Sequence, residues 1–220
     1  LGRGARRAGG VADMSALARP TVSEETDIAA LETEIAGCRA CAERFAATRT
    51  AHAPRPVTRI SSRARLLIAG QAPGARVHAS GLPFDDRSGD RLRDWLGIDR
   101  ATFYDRARVA ILPMAFCFPG YDARGADLPP PPLCAQLWRA RALAAMPQVE
   151  LTLLVGAHAQ AWTLGGRRPL TERVRDWRAH LPGPVPLPHP SWRNTGWLRA
   201  NPWFEEELVP WLRARVSTLL

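Results

Sequence analysis

The sequence predicts a single three-layer α/β/α domain around a four-stranded parallel sheet, and three observations lead there. Four short runs, "RLLIAG", "RVAILPM", "ELTLLVG" and "VPLP", are apolar throughout rather than alternating, as strands buried on both faces are. Stretches with apolar residues at helical spacing stand between them, the pattern of βαβ units. The 220 residues, 46% of them hydrophobic, suffice for the core of one such domain.

Residues 1–20 are small, polar or arginine-rich and read as a disordered or added tail, with the domain proper at 21–220. Met14 offers a natural start, which would make Leu1 to Asp13 an upstream extension. A helix is expected from about Ser23 to Phe45, capped near Thr21 or Ser23, with Ile28, Leu31 and Ile35 inward. A connector bearing proline and arginine follows, from Thr48 to Ser62. The first strand, Arg65 to Gly70, runs into a long loop, "QAPGARVHASGLPFDDRSG". "SGDRLRDWLG" reads as a helix with Ser88 as N-cap and Leu92, Trp95 and Leu96 on its inner face. After the second strand, Pro119 to Pro132 is loop, ending in four stiff prolines. A helix from Cys134 to Ala145 precedes the third strand. Helices at Ala157 to Thr163 and Thr171 to Arg178 lead to the fourth. The rigid loop "PLPHPSWRNTGW" follows. Trp203 to Leu219 closes the domain as a helix with Phe204, Leu208, Trp211, Leu212 and Val216 inward. In such sheets ligands bind beyond the carboxyl ends of the strands. The pocket is therefore expected where the loops after Gly70, Pro113 and Pro188 meet.

The net charge is +9, and +7 without residues 1–13, which carry three arginines and one aspartate. That balance favours an acidic partner such as nucleic acid, although compositional bias would produce it equally. All 30 basic side chains are arginine, so chemistry needing a lysine Schiff base is excluded. No apolar run approaches the ~20 residues of a membrane span. The arginine-rich start is not followed by the apolar stretch of a secretory signal. A cytoplasmic, monomeric protein is expected.

The four cysteines are Cys38, Cys41, Cys117 and Cys134. Two local pairs of thiolates suit a tetrahedral zinc site or a [4Fe–4S] cluster, and spacing alone does not separate the two. Four unrelated buried thiols are the plain alternative.

Taken together, these segments resemble the uracil-DNA glycosylase superfamily, especially its iron–sulfur branches, families 4 and 5. "CRAC" matches the N-terminal cysteine pair of those branches. "GQAPG", Gly70 to Gly74, is similar to their first motif, GEAPG or GLAPA. "LPFDDRSGDRL" is similar to a family 5 stretch with phenylalanine and then D-[RA]-S-G-D, and "PHPSW" to the last motif, HPS. Cys117 and Cys134 fall where the second cysteine pair is placed. The resemblance implies a doubly wound domain that hydrolyses the N-glycosidic bond of uracil in DNA, in the bacterial cytoplasm. It also implies that the cysteines hold a structural [4Fe–4S] cluster rather than zinc.

That chemistry needs a donor for the uracil oxygen, a negative group near the sugar and a positioned water. His189 is the expected donor and Asp86 the expected carboxylate, with Asp85 the second choice and a simple N-cap role the plain alternative. Asp90 is expected to face solvent or cap. Phe84 is expected to stack on the flipped base, with Gly70, Gln71 and Ala72 offering backbone groups to it. Ser191 is expected to hold a phosphate, and Trp192 or Arg193 to fill the gap left by the flipped nucleotide. Without lysine the enzyme is expected to be monofunctional, leaving an abasic site. Two positions depart from the resemblance. Pro113 stands where family 4 has the asparagine that reads the uracil edge, which shifts that task to backbone groups, Asn194 or Asn201. Gln71 replaces an acidic residue, which moves the burden to Asp86. Another deaminated base is therefore an alternative substrate. A non-catalytic nucleic-acid-binding module with a four-cysteine metal staple is the alternative function. "GQAPG" as a phosphate loop is weaker, since it lacks the Lys-Ser/Thr of a P-loop.

Overall fold

The computed structural model describes residues 22–220, with side chains from residue 27 onward. The tail expected over residues 1–20 and the caps expected at Thr21 or Ser23 lie outside the described residues and side chains. Strands β1 (Leu66–Ala69), β2 (Val109–Ile111), β3 (Leu151–Val155) and β4 (Val185–Leu187) pair in parallel in the order β2-β1-β3-β4. Every strand residue except Thr152 is buried, which is why these runs are apolar without alternation. Pro186 sits in β4, an edge strand, where its missing N–H is tolerated.

Successive strand side chains point to opposite faces, and this period divides the core. Leu66, Ile68, Val109, Ile111, Leu153 and Val185 face one layer of helices. These are α4 (Arg87–Leu96), α5 (Arg100–Tyr104), α8 (Leu170–Arg175), α9 (Thr195–Ala200) and α10 (Val209–Leu219). Leu67, Ala69, Ala110 and Leu154 face the other layer, α1 (Val22–Ala36), α6 (Pro132–Ala144) and α7 (Ala157–Leu164). The expected three layers and parallel sheet are present. Ile28, Leu31, Ile35, Leu92, Trp95 and Leu96 are all buried as expected.

The departures have local causes. The first helix does not run to Phe45: α1 stops at Ala36, and α2 (Ala42–Ala46) is separate. Apolar spacing ends at Ile35, Gly37 follows, and the Arg39 guanidinium caps the carbonyls of Ala36 (3.0 Å) and Cys38 (2.9 Å). The loop after Gly70 contains α3 (Ala75–Ser80), closed by left-handed Gly81. It has too few turns to show a period. Helix α5, capped by Asp99, was likewise too short to read. The cap of α4 is Asp86, not Ser88: the Asp86 backbone is extended and its Oδ1 accepts the Gly89 N–H at 2.9 Å. The loop after His189 is irregular only to Ser191, then becomes a 3₁₀ turn at Trp192–Asn194 and α9. The last helix opens with a π turn, Phe204–Leu208, ahead of α10. Pro210 has no N–H to return to Glu206, and widening the turn before it removes the clash a regular helix would meet. Trp211 is half-buried against Trp177, ring centroids 4.5 Å apart.

The closing segment is held mainly by Phe204, fully buried and edge-on to Trp95 at 4.9 Å and Trp197 at 5.8 Å. Phe204→Ala is expected to lower the unfolding free energy by about 3–5 kcal/mol, the range for a large aromatic removed from a packed core. Urea denaturation checks this; a loss under 1 kcal/mol would mean the cavity collapses without cost.

Candidate active site

The loops leaving β1, β2 and β4 meet at an open cleft of about 760 Å³, on the carboxyl edge of the sheet as expected. The first two loops are locked together: Met114 N–H donates to the Gly70 carbonyl (2.9 Å) and Ala115 N–H to that of Gln71 (3.1 Å). Gly70, Gln71, Ala72 and Pro113 all line the cleft.

Phe84 stands over this floor with a left-handed backbone, φ 56°, a strained conformation for a non-glycine residue. Three neighbours hold it there. A Cβ on Gly89 would lie 1.8 Å from the Phe84 carbonyl oxygen, so only glycine leaves room for that carbonyl. Arg93 reaches the same oxygen at 3.4 Å, and Phe103 meets the ring edge-on at 6.1 Å. On the other side the ring edge is 3.4 Å from where a Cβ of Gly70 would stand.

The two adjacent aspartates separate. Asp86 lines the cleft while capping α4. Asp85 pairs with Arg100 at 2.9 Å and is not among the lining residues. Asp90 pairs with Arg93 at 2.6 Å and is otherwise open to solvent.

His189 enters the cleft from the end of β4. Its Nδ1 accepts the Ser191 N–H at 3.2 Å, which places the proton of a neutral imidazole on Nε2. Burial pushes its pKa below the ordinary histidine value. Asp86 and Asp127 pull against this, and Arg193 adds to the lowering. The backbone around it is pinned. Asn194 Nδ2 donates to the His189 carbonyl (2.7 Å), Arg91 reaches the Ser191 carbonyl (3.1 Å), and buried Gln160 donates to the Leu187 carbonyl (2.9 Å). Asn194 lines the cleft, but this amide proton is committed to the loop itself. Asn201 is buried elsewhere, bonded to Trp197 and Trp203.

Trp192 is 74% exposed at the rim, so it is not a packing residue. Arg193 lies beside its ring at 6.0 Å. Three charged lining residues escaped the sequence reading. Arg76 and Arg87 add positive charge to the rim, and no pattern distinguished them among so many arginines. Asp127 comes from a turn closed by the Tyr121–Asp127 bridge and by Asp122 Oδ1, which accepts from Arg124 and Ala126, both at 2.9 Å. The string "DARGAD" is a legible turn signal, but nothing local tied it to His189.

The four cysteines are free thiols that line one apolar pocket with Pro54, Pro56, Phe116 and Trp138. Burial drives the Cys117 thiol up to about 12 and Cys134 to about 11, and the neighbouring thiols add to both shifts. Backbone N–H groups work the other way: Phe116 donates to Cys134 Sγ at 3.3 Å, and the Arg55 N–H favours the Cys117 thiolate. Among the described residues, no three His, Cys, Asp or Glu side chains stand at metal-holding geometry. Nor is any helix long and apolar enough to cross a membrane.

A cleft beyond the carboxyl ends of a four-stranded parallel sheet, with "GQAPG" on its floor and "HPS" at its mouth, agrees with a comparison against protein families. The model of the uracil DNA glycosylase superfamily matches residues 57–213, which include the whole sheet and every residue named as lining the cleft. The chain belongs to the uracil DNA glycosylase superfamily.

Proposed function

We propose that the protein is a monofunctional uracil-DNA glycosylase that hydrolyses the N-glycosidic bond and leaves an abasic site. One observation carries this reading: a neutral histidine and a helix-capping aspartate from different loops line the same cleft as a strained phenylalanine. The base leaves the helical stack and enters the cleft, where unstacking is offset by contact with the Phe84 ring. As the bond breaks, negative charge gathers on the uracil and positive charge on the sugar. The Nε2–H of His189 donates to the uracil oxygen, and a ring held by the Ser191 N–H needs no reorganisation to do so. Asp86 spends Oδ1 on the Gly89 amide, and Oδ2 faces the sugar. The hydroxyl of water ends on C1′ and its proton on the base. The chain has no lysine amine to attack the sugar and open the strand. Arg76, Arg87 and Arg193 neutralise phosphates, Ser191 holds one, and Trp192 fills the vacated space. Pro113 offers no amide to the base edge, so uracil is selected by backbone groups and shape, and other deaminated bases compete.

Cys38, Cys41, Cys117 and Cys134 are proposed to hold a structural [4Fe–4S] cluster. The donor set fits. All four thiols line one apolar pocket, and N–H groups face two of the sulfurs. A single zinc needs four donors about 2.3 Å from one point. A four-iron cube accepts thiolates spread more widely around one pocket.

His189→Ala and Asp86→Ala are each expected to slow base release from uracil DNA at least about 10²-fold. Single-turnover kinetics check this, and full activity in both variants overturns the mechanism. DNA binding that falls steeply with salt, without release of any base by the unaltered protein, would favour the binding-module reading.

The pH profile follows from the depressed pKa of His189. Above the ordinary value of about 6.5 the ring is neutral whether folded or not. Between that value and the lower folded value it stays neutral only in the folded protein. Activity should therefore stay level as pH falls through 6.5 and drop only below it, once protonated Nδ1 repels the Ser191 N–H. The stability contributed by the neutral ring is lost over the same acidic interval. A fall in activity that begins at or above pH 6.5 contradicts this assignment.

Protein purified without oxygen should be brown and contain about four irons per chain. Cys134→Ser should lower the iron content; colourless protein containing zinc or no metal removes the cluster.

A further inference from the structure

The cysteine pocket and the cleft share a stiff connector, Pro54-Arg55-Pro56-Val57. Pro54 and Pro56 line the pocket, and Val57 lines the cleft. Val57 N–H donates to the Phe116 carbonyl at 2.6 Å, while the N–H of the same Phe116 donates to Cys134 Sγ at 3.3 Å. Between the two prolines, Arg55 turns outward. Its Nη1 binds the carbonyls of His78 (2.5 Å) and Ala79 (2.6 Å), in the last turn of α3. The other edge of the guanidinium lies where Gly81 has no side chain: a Cβ there would stand 2.7 Å from Nη2. Helix α3 begins at Gly74, the last residue of "GQAPG", so its orientation fixes how that loop meets the cleft.

We infer that Arg55 is a positioning residue that ties the cysteine site to the loop Gly70–Gly74, so that order at the four thiols is transmitted to the base-binding floor. Both carbonyls accept from one nitrogen, Nη1, while the planar head packs over Gly81, and prolines on both sides stop the connector from absorbing the movement. The cationic head also opposes the negative carbonyl end of the helix. None of these contacts involves His189 or Asp86, so the coupling acts on binding geometry and not on the proton-handling groups. Its kinetic consequence rests on the glycosylase reading; the coupling itself does not.

Hydrogen exchange with and without substitution tests it. In the full chain, Arg55→Met is expected to speed exchange of the His78 and Gly81 amides, which bond to Gly74 and Val77, by about tenfold. Cys117→Ser, which alters the acceptor of the Arg55 N–H, should produce the same rise at those amides. The double variant should add little to the larger single effect, the signature of one shared path. Arg55→Lys, which keeps the charge but loses the planar head packed over Gly81, should recover only part of the protection. In base release, Arg55→Met should raise KM with kcat within about twofold. No change at His78 and Gly81 in Cys117→Ser, or additive effects in the double variant, overturns the inference. If Cys117→Ser also exposes β1 and β3 amides it is a folding defect, and Arg55→Met against Arg55→Lys then decides alone. If the unaltered protein releases no base, the glycosylase reading fails while the exchange result still stands.

Discussion

The carbonyl oxygen of Phe84 lies 1.8 Å from where a Cβ of residue 89 would begin, and much of the cleft follows from that contact. A left-handed phenylalanine costs about 1–3 kcal/mol unless its surroundings hold it. Gly89 makes the space, Arg93 reaches the oxygen, and the Gly89 N–H is taken by Asp86. One reversal of the chain therefore sets the ring over Gly70, brings Asp86 to the cleft and starts α4. The carboxylate did not have to be either a cap or a functional group: capping is how it is held. A side chain fixed by one oxygen keeps the other in place without help from the ligand, the arrangement that preorganised electrostatics requires.

How much of this was legible in the sequence depends on the length over which each feature is encoded. The strands and long helices could be read because burial on both faces, or on one stripe, writes itself over several residues. The pocket position could be read because parallel topology dictates it. Helices α3 and α5 could not, since five or six residues show no period. Neither could the break at Gly37, which depends on Arg39 folding back onto carbonyls behind it. The motif segments named His189, Phe84 and Asp86, and all three reach the cleft. Asp127 and the role of Asn194 were hidden because they depend on contacts between loops. The cap was misplaced by two residues because Ser88 and Asp86 both suit it, and only the φ of Phe84 decides between them.

His189 shows how the loop chemistry and the fold act on one group. The prolines on either side limit the backbone, but they do not choose the tautomer; the Ser191 amide does. Burial then depresses the pKa against the pull of Asp86 and Asp127. Two carboxylates beside a histidine would ordinarily favour imidazolium. Here desolvation is the larger cause, and the ring remains a neutral donor. Of the two, Asp86 is half-buried, while Asp127 is exposed like Arg76, Arg87 and Arg193.

Part of the excess of arginine serves the fold itself, at helix ends. Arg39 binds the last carbonyls of α1, Arg55 those of α3, Arg173 the Gly165 and Gly166 carbonyls after α7, and Arg213 the Asp94 carbonyl near the end of α4. In each case a guanidinium meets the negative end of a helix, through one nitrogen in Arg39, Arg55 and Arg173 and through two in Arg213. A net charge of +9 therefore includes arginines that act on the fold as well as any that meet a polyanion. The composition that would arise from bias alone has been put to structural use, and an arginine count does not locate a DNA interface. Position narrows the choice: Arg76, Arg87 and Arg193 line the cleft, and these are the arginines proposed to meet phosphates.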